Sequence, residues 1–425
     1  MRAALSPVPA ENDRAAACCR HCGAGLSLPF LDLGSAPPSN AYLSEAQLGA
    51  PETTFPLKLL VCEECFLVQT EDYAGRDALF AGDYAYFSSV SSSWLDHARR
   101  YVAEMTQRFG LSPDSVVAEV AANDGYLLQY VKDAGIPCYG IEPTAGTAAA
   151  AREKGIDVVE AFFGRELGEV LAADGRAADL IAANNVLAHV PDINDFVAGF
   201  AALLKPAGVA TFEFPHLLRM VEGGQFDTAY HEHYSYLSLS AVCRIFAGNG
   251  LAVFDVEELS THGGSLRVFA RRADGVPRMV SSKVAAVLAA EDAAGMSGAT
   301  FYGRLQPVAE RIKDDLLAFL IAAKREGRSV AAYGAAAKGN TLLNFAGVRP
   351  DLLPFVVDRS PGKLGKFLPA SRIPIVGEER LKAARPDYVL LLPWNIRDEL
   401  TRQLAYVGEW GGRFVTAVPE LAIGH

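Results

Sequence analysis

The chain has 425 residues, half of them hydrophobic and 21% charged, with a formal net charge of −11 and a pI near 5.3. That length exceeds one typical core and predicts two or three domains, and the acidic balance excludes a nucleic-acid surface, which needs clustered Lys and Arg. No run of 18 apolar residues occurs, so no membrane span is predicted.

The first residues, "MRAALSPVPAENDRAAACCR", lack the apolar core of a signal peptide and read as a flexible tail, with the cytoplasm as the default compartment. Cys19-x2-Cys22 and Cys62-x2-Cys65 follow, 39 residues apart. Four thiolates suit a tetrahedral zinc ion, and closed four-thiolate sites are structural. Such a site contributes roughly 10–16 kcal/mol in small peptides, comparable to a domain's whole margin of about 5–15 kcal/mol. Cys18, beside Cys19, is an alternative ligand in a shifted register. Gly34, Pro37, Pro38 and Ser39 predict loops here, and "LKLLV" and "FLVQ" predict short strands. The second half of "GDYAYFSSVSSSWLDHARRYVAEM" has helical spacing.

From about residue 115 strands and helices alternate: "SVVAEVA", "CYGIEP", "DVVEAF", "ADLIAANNVL" and "GVATFEFP" predict strands separated by helices. That alternation indicates a doubly wound parallel sheet, closed by an antiparallel pair, "LAVFDVEEL" and "GGSLRVFARR". In "VVAEVAANDGYLLQYV" Glu119 ends a strand and Asn123-Asp124-Gly125 turn into a helix. Glu142 ends the next strand, 17 residues after Gly125, where an acid can accept both ribose hydroxyls of a nucleoside. NAD and S-adenosylmethionine both fit such a site, as does a plain βαβ unit with no ligand. Ala121 and Ala122 stand where a dinucleotide loop needs glycine for its pyrophosphate, a loss that S-adenosylmethionine, having no pyrophosphate, tolerates better. Asn184-Asn185 end a later strand, and His189 follows at the carboxyl side of the sheet.

"TAYHEHYSY", residues 228–236, holds Tyr230, His231, Glu232, His233, Tyr234 and Tyr236. It lacks the i, i+4 histidine spacing of a helical zinc site. Residues from about 283 to 326 read as helical, interrupted near Gly295–Gly298, before a second α/β alternation. There "VAAYGAAAKGNTLLNF" is strand, small-residue turn and helix, so that backbone amides with Lys338 suit a diphosphate. Lys363 and Lys366 follow the next strand, and His262 lies in a turn that can line the same cleft.

The zinc pairs, "EVAANDGYLL", "NNVLAHV", "YHEHYSY", "HGGSLRVFARR" and "YGAAAKGNTLLNF", in this order, resemble the nucleotide-linked deoxysugar C-methyltransferases, which act on 4-keto-hexoses. The resemblance spans about residues 19 to 420. It implies an α/β protein built on a class I methyltransferase, Rossmann-like doubly wound sheet, with a small N-terminal zinc domain (1–75), an S-adenosylmethionine domain (76–274) and a C-terminal α/β domain (275–425) aiding nucleotide-sugar binding. The implied cofactors are S-adenosylmethionine, held by Glu119, Ala121, Asn123, Gly125, Glu142, Asn184 and Asn185, and structural zinc on Cys19, Cys22, Cys62 and Cys65. His233 is the implied general base, with Tyr230 and Glu232 beside it and His189 and Tyr84 as further active-site residues; His231 is the reserve base. Lys338, Gly339, Asn340, Lys363, Lys366 and His262 are the substrate-binding candidates. The departure is Ala121, where relatives commonly carry glycine.

Methyl transfer to carbon explains such a cluster. It needs a carbanion equivalent, which a carbon beside a ketone supplies once its proton is removed and the enolate oxygen stabilised. An imidazole suits the base near neutral pH, a Tyr hydroxyl or second imidazole suits the enolate, and Glu232 is expected to fix a histidine's tautomer. The sequence leaves three alternatives: an O-methyltransferase for a sugar or natural product, a non-enzymatic zinc-containing scaffold, and an NAD-dependent oxidoreductase that the missing glycines oppose. The expected partner is a nucleotide-linked 4-keto sugar, with no nucleic acid and no membrane; the oligomeric state is open, a monomer being favoured.

Overall fold

The computed structural model of the protein describes residues 17–71, 73 and 87–424. Three sheets organise it. Four antiparallel strands, in the order Leu28–Ala36, Phe55–Val61, Val68–Thr70 and Ser235–Tyr236, form the first. Its last strand comes from the tyrosine- and histidine-rich segment, so the N-terminal sheet is completed by residues 165 positions downstream of Thr70. Leu28–Ala36 lies where the sequence predicts loops. Two register irregularities, between Pro29 and Leu31 and between Asp32 and Ser35, break its period, and Gly34 takes a positive φ of 74° in the second. A bulged strand loses the clean alternation by which strands are read.

The central sheet has seven strands in the order Leu251–Leu259, Ser265–Arg272, Leu204–Pro215, Ala178–Asn184, Val117–Val120, Cys138–Ile141 and Asp157–Val159. The last five are parallel, and the first two form the expected antiparallel closure. This is the doubly wound sheet the sequence led us to expect, with apolar clusters on both faces. Strand order reverses at Val117–Val120, so its loop and the end of Ala178–Asn184 flank the crevice where open α/β sheets bind ligands. The third sheet, of six strands, is parallel through Arg413–Thr416, with an antiparallel edge at Ala422–Gly424. Its reversal lies between Val330–Tyr333 and Tyr388–Leu391.

The units share cores. Phe30, Leu59 and Val68 of the first sheet pack in one apolar cluster with Ile312 and Leu316 of the helix Leu305–Arg325 and with Val330 and Val356 of the third sheet. Cys19, Cys62 and Cys65 sit in a second cluster with Phe212, Phe246 and Leu237. The zinc-ligand candidates are thus embedded against the central unit. No helix among the described residues is long and apolar enough to cross a membrane.

Candidate active site and cofactor cleft

The four sulfurs of Cys19, Cys22, Cys62 and Cys65 lie within 4.8 Å of one another. About 2.3 Å metal–sulfur bonds place tetrahedral thiolates about 3.8 Å apart, so the donor set fits a closed zinc site. Cys18 is exposed and outside the cluster, which resolves the register in favour of Cys19. Gln69 donates from Nε2 to the Cys19 sulfur at 3.3 Å, the kind of outer contact that orients a ligand.

After Val117–Val120 the chain turns through three positive φ angles, 58° at Ala121, 49° at Asn123 and 74° at Gly125. At Gly125 a Cβ would lie 2.4 Å from the Ile156 Cδ1, so this turn needs glycine for both conformation and space. Ala121 takes the left-handed conformation despite its side chain, and the loop keeps its path. Glu142 is buried and braces the loop: Asn123 donates its backbone N–H to Oε2 at 3.0 Å and Thr144 donates to Oε1 at 2.9 Å. Both oxygens retain lone pairs for a diol.

Glu119 is 1% exposed, and among the described residues neither of its carboxylate oxygens has a partner in hydrogen-bonding geometry. Burial pushes it well above the usual carboxylate range, with the Tyr126 hydroxyl beside it. The Asn184 Oδ1 is likewise buried without a partner among the described residues, while its Nδ2 reaches the Tyr126 hydroxyl at 3.5 Å. Asn185 takes a φ of 53° and bonds by its backbone N–H to the Glu213 carbonyl at 2.8 Å. Orphaned acceptors at one switch point, with an acid placed for a ribose at the next strand, fit the amino-acid and ribose ends of S-adenosylmethionine.

The tyrosine- and histidine-rich segment is where the three units meet. Its members diverge. His231 directs Nε2 at the Phe55 and Pro56 carbonyls, 3.3 and 3.2 Å away, in the N-terminal sheet. Glu232, 2% exposed, accepts from Asn40 Nδ2 at 3.2 Å, and its Oε2 has no partner among the described residues. The expectation that Glu232 fixes a histidine's tautomer is therefore corrected: the Thr228 carbonyl does this for His233, accepting from Nδ1 at 3.0 Å. A carbonyl only accepts, so Nδ1 carries the proton of the neutral ring and Nε2 carries the lone pair.

His233 packs with its ring centroid 3.9 Å from that of Tyr230, 4.5 Å from His189 and 5.8 Å from Tyr236. Burial, then the neighbouring His189, holds His233 well below the ordinary histidine range. Burial also pushes His189 down to about 4, against a hydrogen bond to the Glu232 backbone. His262, at a φ of 55°, is pushed down to about 4 by burial and the nearby Lys338, and its Nδ1 has no partner among the described residues. The structure therefore gathers His189, Tyr230, His262 and Lys338 about His233. Tyr84 lies outside the described residues.

Lys338 donates to Asn395 Oδ1 at 2.7 Å and lies 4.6 Å from the Trp394 ring centre. Lys363 bonds the Ala335 carbonyl at 2.9 Å, at the start of the same loop. Gly339 packs helix on strand, since a Cβ there would lie 2.7 Å from the Leu392 Cβ. Asn340 donates to the Ser39 carbonyl at 3.3 Å and so ties the C-terminal unit to the N-terminal one. The half-buried Lys366 pairs its backbone carbonyl with the Ile375 amide, and its N–H bonds the Lys363 carbonyl.

Sequence reasoning missed Trp94, which stacks on His97 at 4.8 Å and meets His262 edge-on at 5.4 Å. His97 in turn bonds the buried Glu213 at 2.9 Å, and Arg267 bonds the same carboxylate at 2.6 Å. It also missed Asp227 and Trp394, which bond each other at 2.8 Å. The scarcity of tryptophan, three in the chain, was the one available signal.

Comparison with known proteins adds the following. Residues 19–80 match a family model for a zinc binding domain, residues 94–256 one for a methyltransferase domain, and residues 260–419 one described as a C-methyltransferase C-terminal domain. The chain is 35% identical over 402 residues, 95% of each chain, to the C-methyltransferase NovU of Streptomyces niveus. Among solved structures, the magnesium protoporphyrin IX methyltransferase ChlM of Synechocystis PCC 6803 with bound S-adenosylmethionine matches at 17% identity and a TM-score of 0.33, over 47% of this chain and 90% of that one. The glycopeptide N-methyltransferase MtfA matches at 14% identity and a TM-score of 0.33, over 41% and 94%.

Proposed function

The chain belongs to the C-methyltransferase family, and we propose that it methylates the carbon alpha to the keto group of a nucleoside-diphosphate 4-keto-deoxyhexose, at C3, through an enolate formed by His233. The O-methyltransferase, oxidoreductase and scaffold alternatives give way to that membership. The observation that carries the proposal is the bond from His233 Nδ1 to the Thr228 carbonyl, which leaves Nε2 as the accepting nitrogen of a neutral ring.

When bound, S-adenosylmethionine supplies a methyl group made electrophilic by its sulfonium. Glu119, Asn184 and the loop through Ala121, Asn123 and Gly125 hold its amino-acid end, and Glu142 its ribose. His233 takes the alpha proton on Nε2. Base catalysis of this kind is typically worth about 10²–10⁴-fold. The neutral His189, whose one N–H goes to the Glu232 backbone carbonyl, packs beside the base, while Tyr230 faces the keto oxygen as a donor, worth about 2.7–4 kcal/mol to the developing enolate. Tyr84 is a further candidate for that role. Lys338, Lys363 and His262 bind the nucleotide and hexose, supported by Gly339, Asn340 and Lys366. Residues 1–75 serve as the zinc unit, 76–274 as the cofactor unit and 275–425 as the sugar-nucleotide unit.

Incubation with S-adenosylmethionine and a panel of nucleoside-diphosphate 4-keto-deoxyhexoses, followed by mass spectrometry and NMR, tests the proposal. A new methyl on the carbon next to the ketone is expected. A methyl on oxygen, or no turnover of any 4-keto sugar, contradicts it.

A further inference from the structure

The carbonyl that holds the His233 ring lies next to a residue bonded to the C-terminal unit. The His233 Nδ1–H is accepted by the carbonyl of Thr228, the last residue of the single 3-10 turn Phe226–Thr228. Asp227, in the middle of that turn, is fully buried; its Oδ2 accepts the indole N–H of Trp394 at 2.8 Å, and its Oδ1 has no partner among the described residues. A buried carboxyl with so little hydrogen bonding is costly, and the turn is otherwise well supplied. Thr341 donates to the Ala229 carbonyl at 2.9 Å and Phe345 packs on Phe226 at 5.6 Å. The indole itself is fixed on two sides. Lys338 lies over the ring at 4.6 Å, and Gly263, at a φ of 87°, approaches so closely that a Cβ there would lie 2.8 Å from Cη2.

We propose that Trp394 is a positioning residue for the base, acting through Asp227 and the Thr228 carbonyl. The inference rests on the reading of His233 as the base. Its consequence is that His233 is aligned only when the C-terminal unit is seated. Because Lys338 sits on the same indole, the surface that takes the sugar nucleotide and the surface that aims the base are one. A displacement of about 1 Å in a catalytic group can cost about 10²-fold in rate.

The groups that face the imidazole are the Thr228 carbonyl, Tyr230 and Tyr236 from its own segment, His189 from the 3-10 turn Leu187–His189, His262 from the turn Thr261–Gly263, and Lys338 from the helix Ala337–Phe345. Of these, the Thr228 carbonyl favours the protonated ring, whereas His189, His262 and Lys338 disfavour it. Loosening the Thr228 bond therefore lowers the pKa of the base as well as misaiming it.

The test is deuterium wash-in at the alpha carbon of a nucleoside-diphosphate 4-keto-6-deoxyhexose that the wild-type enzyme exchanges, followed by NMR against pH without methyl donor. Trp394→Phe keeps the ring and removes the N–H. It is expected to slow exchange about tenfold or more, to move the acid limb of the profile to lower pH, and to leave KM within about threefold. Asp227→Asn keeps an acceptor for the indole and should retain most of the exchange, whereas Asp227→Leu should behave like Trp394→Phe; this pair decides the matter if Trp394→Phe fails to fold. A slower rate with an unmoved acid limb would mean a loss of folded enzyme only and overturns the inference, as does wild-type exchange in both Trp394→Phe and Asp227→Leu. If His233→Asn exchanges as fast as wild type, the base assignment falls first; if His233→Asn is dead and Trp394→Phe is normal, the inference alone falls.

Discussion

His231 and His233 are two residues apart and belong to different neighbourhoods: His231 is bound by Nε2 to the Phe55 and Pro56 carbonyls, and His233 by Nδ1 to the Thr228 carbonyl. The one ties its segment to the N-terminal sheet; the other packs beside His189 and Tyr230 with its Nε2 accepting. Replacing His233 by Asn should lower alpha-proton exchange by about 10²–10⁴-fold, the usual worth of a general base. Replacing His231 by Gln, which keeps a donor for the carbonyls, should leave exchange within about tenfold. Equal losses in the two variants, measured by NMR in deuterated buffer, would sink the distinction.

The acid limb of exchange follows from the direction of the His233 shift. Burial, with His189 nearby, holds its pKa well below the ordinary value of 6.5, so the ring stays neutral as pH falls through 6.5 and accepts protons only at lower pH. Exchange should therefore be flat across 6.5 and decline below it. An inflection at or above 6.5 in kcat/KM for exchange would contradict the buried geometry.

Zinc removal should reach the base before it reaches the cofactor. The sheet that the four cysteines support grips the segment at three points: Phe55 and Pro56 hold His231, Thr70 Oγ1 donates to the His233 carbonyl at 3.2 Å, and Thr70 N–H bonds the Tyr234 carbonyl at 3.2 Å. Glu119 and Glu142 belong to the central sheet. Stripping the metal with a chelator, or Cys62→Ser, should abolish exchange while calorimetry still detects S-adenosylmethionine binding within a few-fold of normal. Undiminished exchange in metal-free protein would show that the sheet holds without its ion.

Ala121→Gly should stabilise the protein. A left-handed φ costs an L-residue roughly 1–2 kcal/mol, and glycine's greater unfolded-state entropy returns up to about 1 kcal/mol of that. The net gain is at most about 2 kcal/mol, read as a raised unfolding midpoint, with S-adenosylmethionine affinity unchanged or tighter. A lowered midpoint would mean that the Ala121 methyl contributes packing that outweighs its backbone strain.

Much of the site was legible because it is written in local spacing. Glu119, Asn123, Gly125 and Glu142 lie on one strand–turn–helix–strand unit, and two cysteine pairs, each of two-residue spacing, announce a metal. Leu28–Ala36 was lost because bulges break its period. The role of Glu232 was misread because adjacency in sequence does not survive a turn: its partner is Asn40, 192 residues away.

By itself the sequence determined the doubly wound sheet, the strand–turn–helix loop after Val117–Val120 and the two cysteine pairs, since each depends on residues within a few positions of one another or on a repeating period. Only the tertiary structure decided which surroundings each imidazole enters, which carbonyl fixes the His233 tautomer, and that Asp227 answers to Trp394 across 167 residues. Those choices rest on how turns and distant elements pack together in three dimensions, where burial and a single well-placed acceptor decide what a linear spacing does not show.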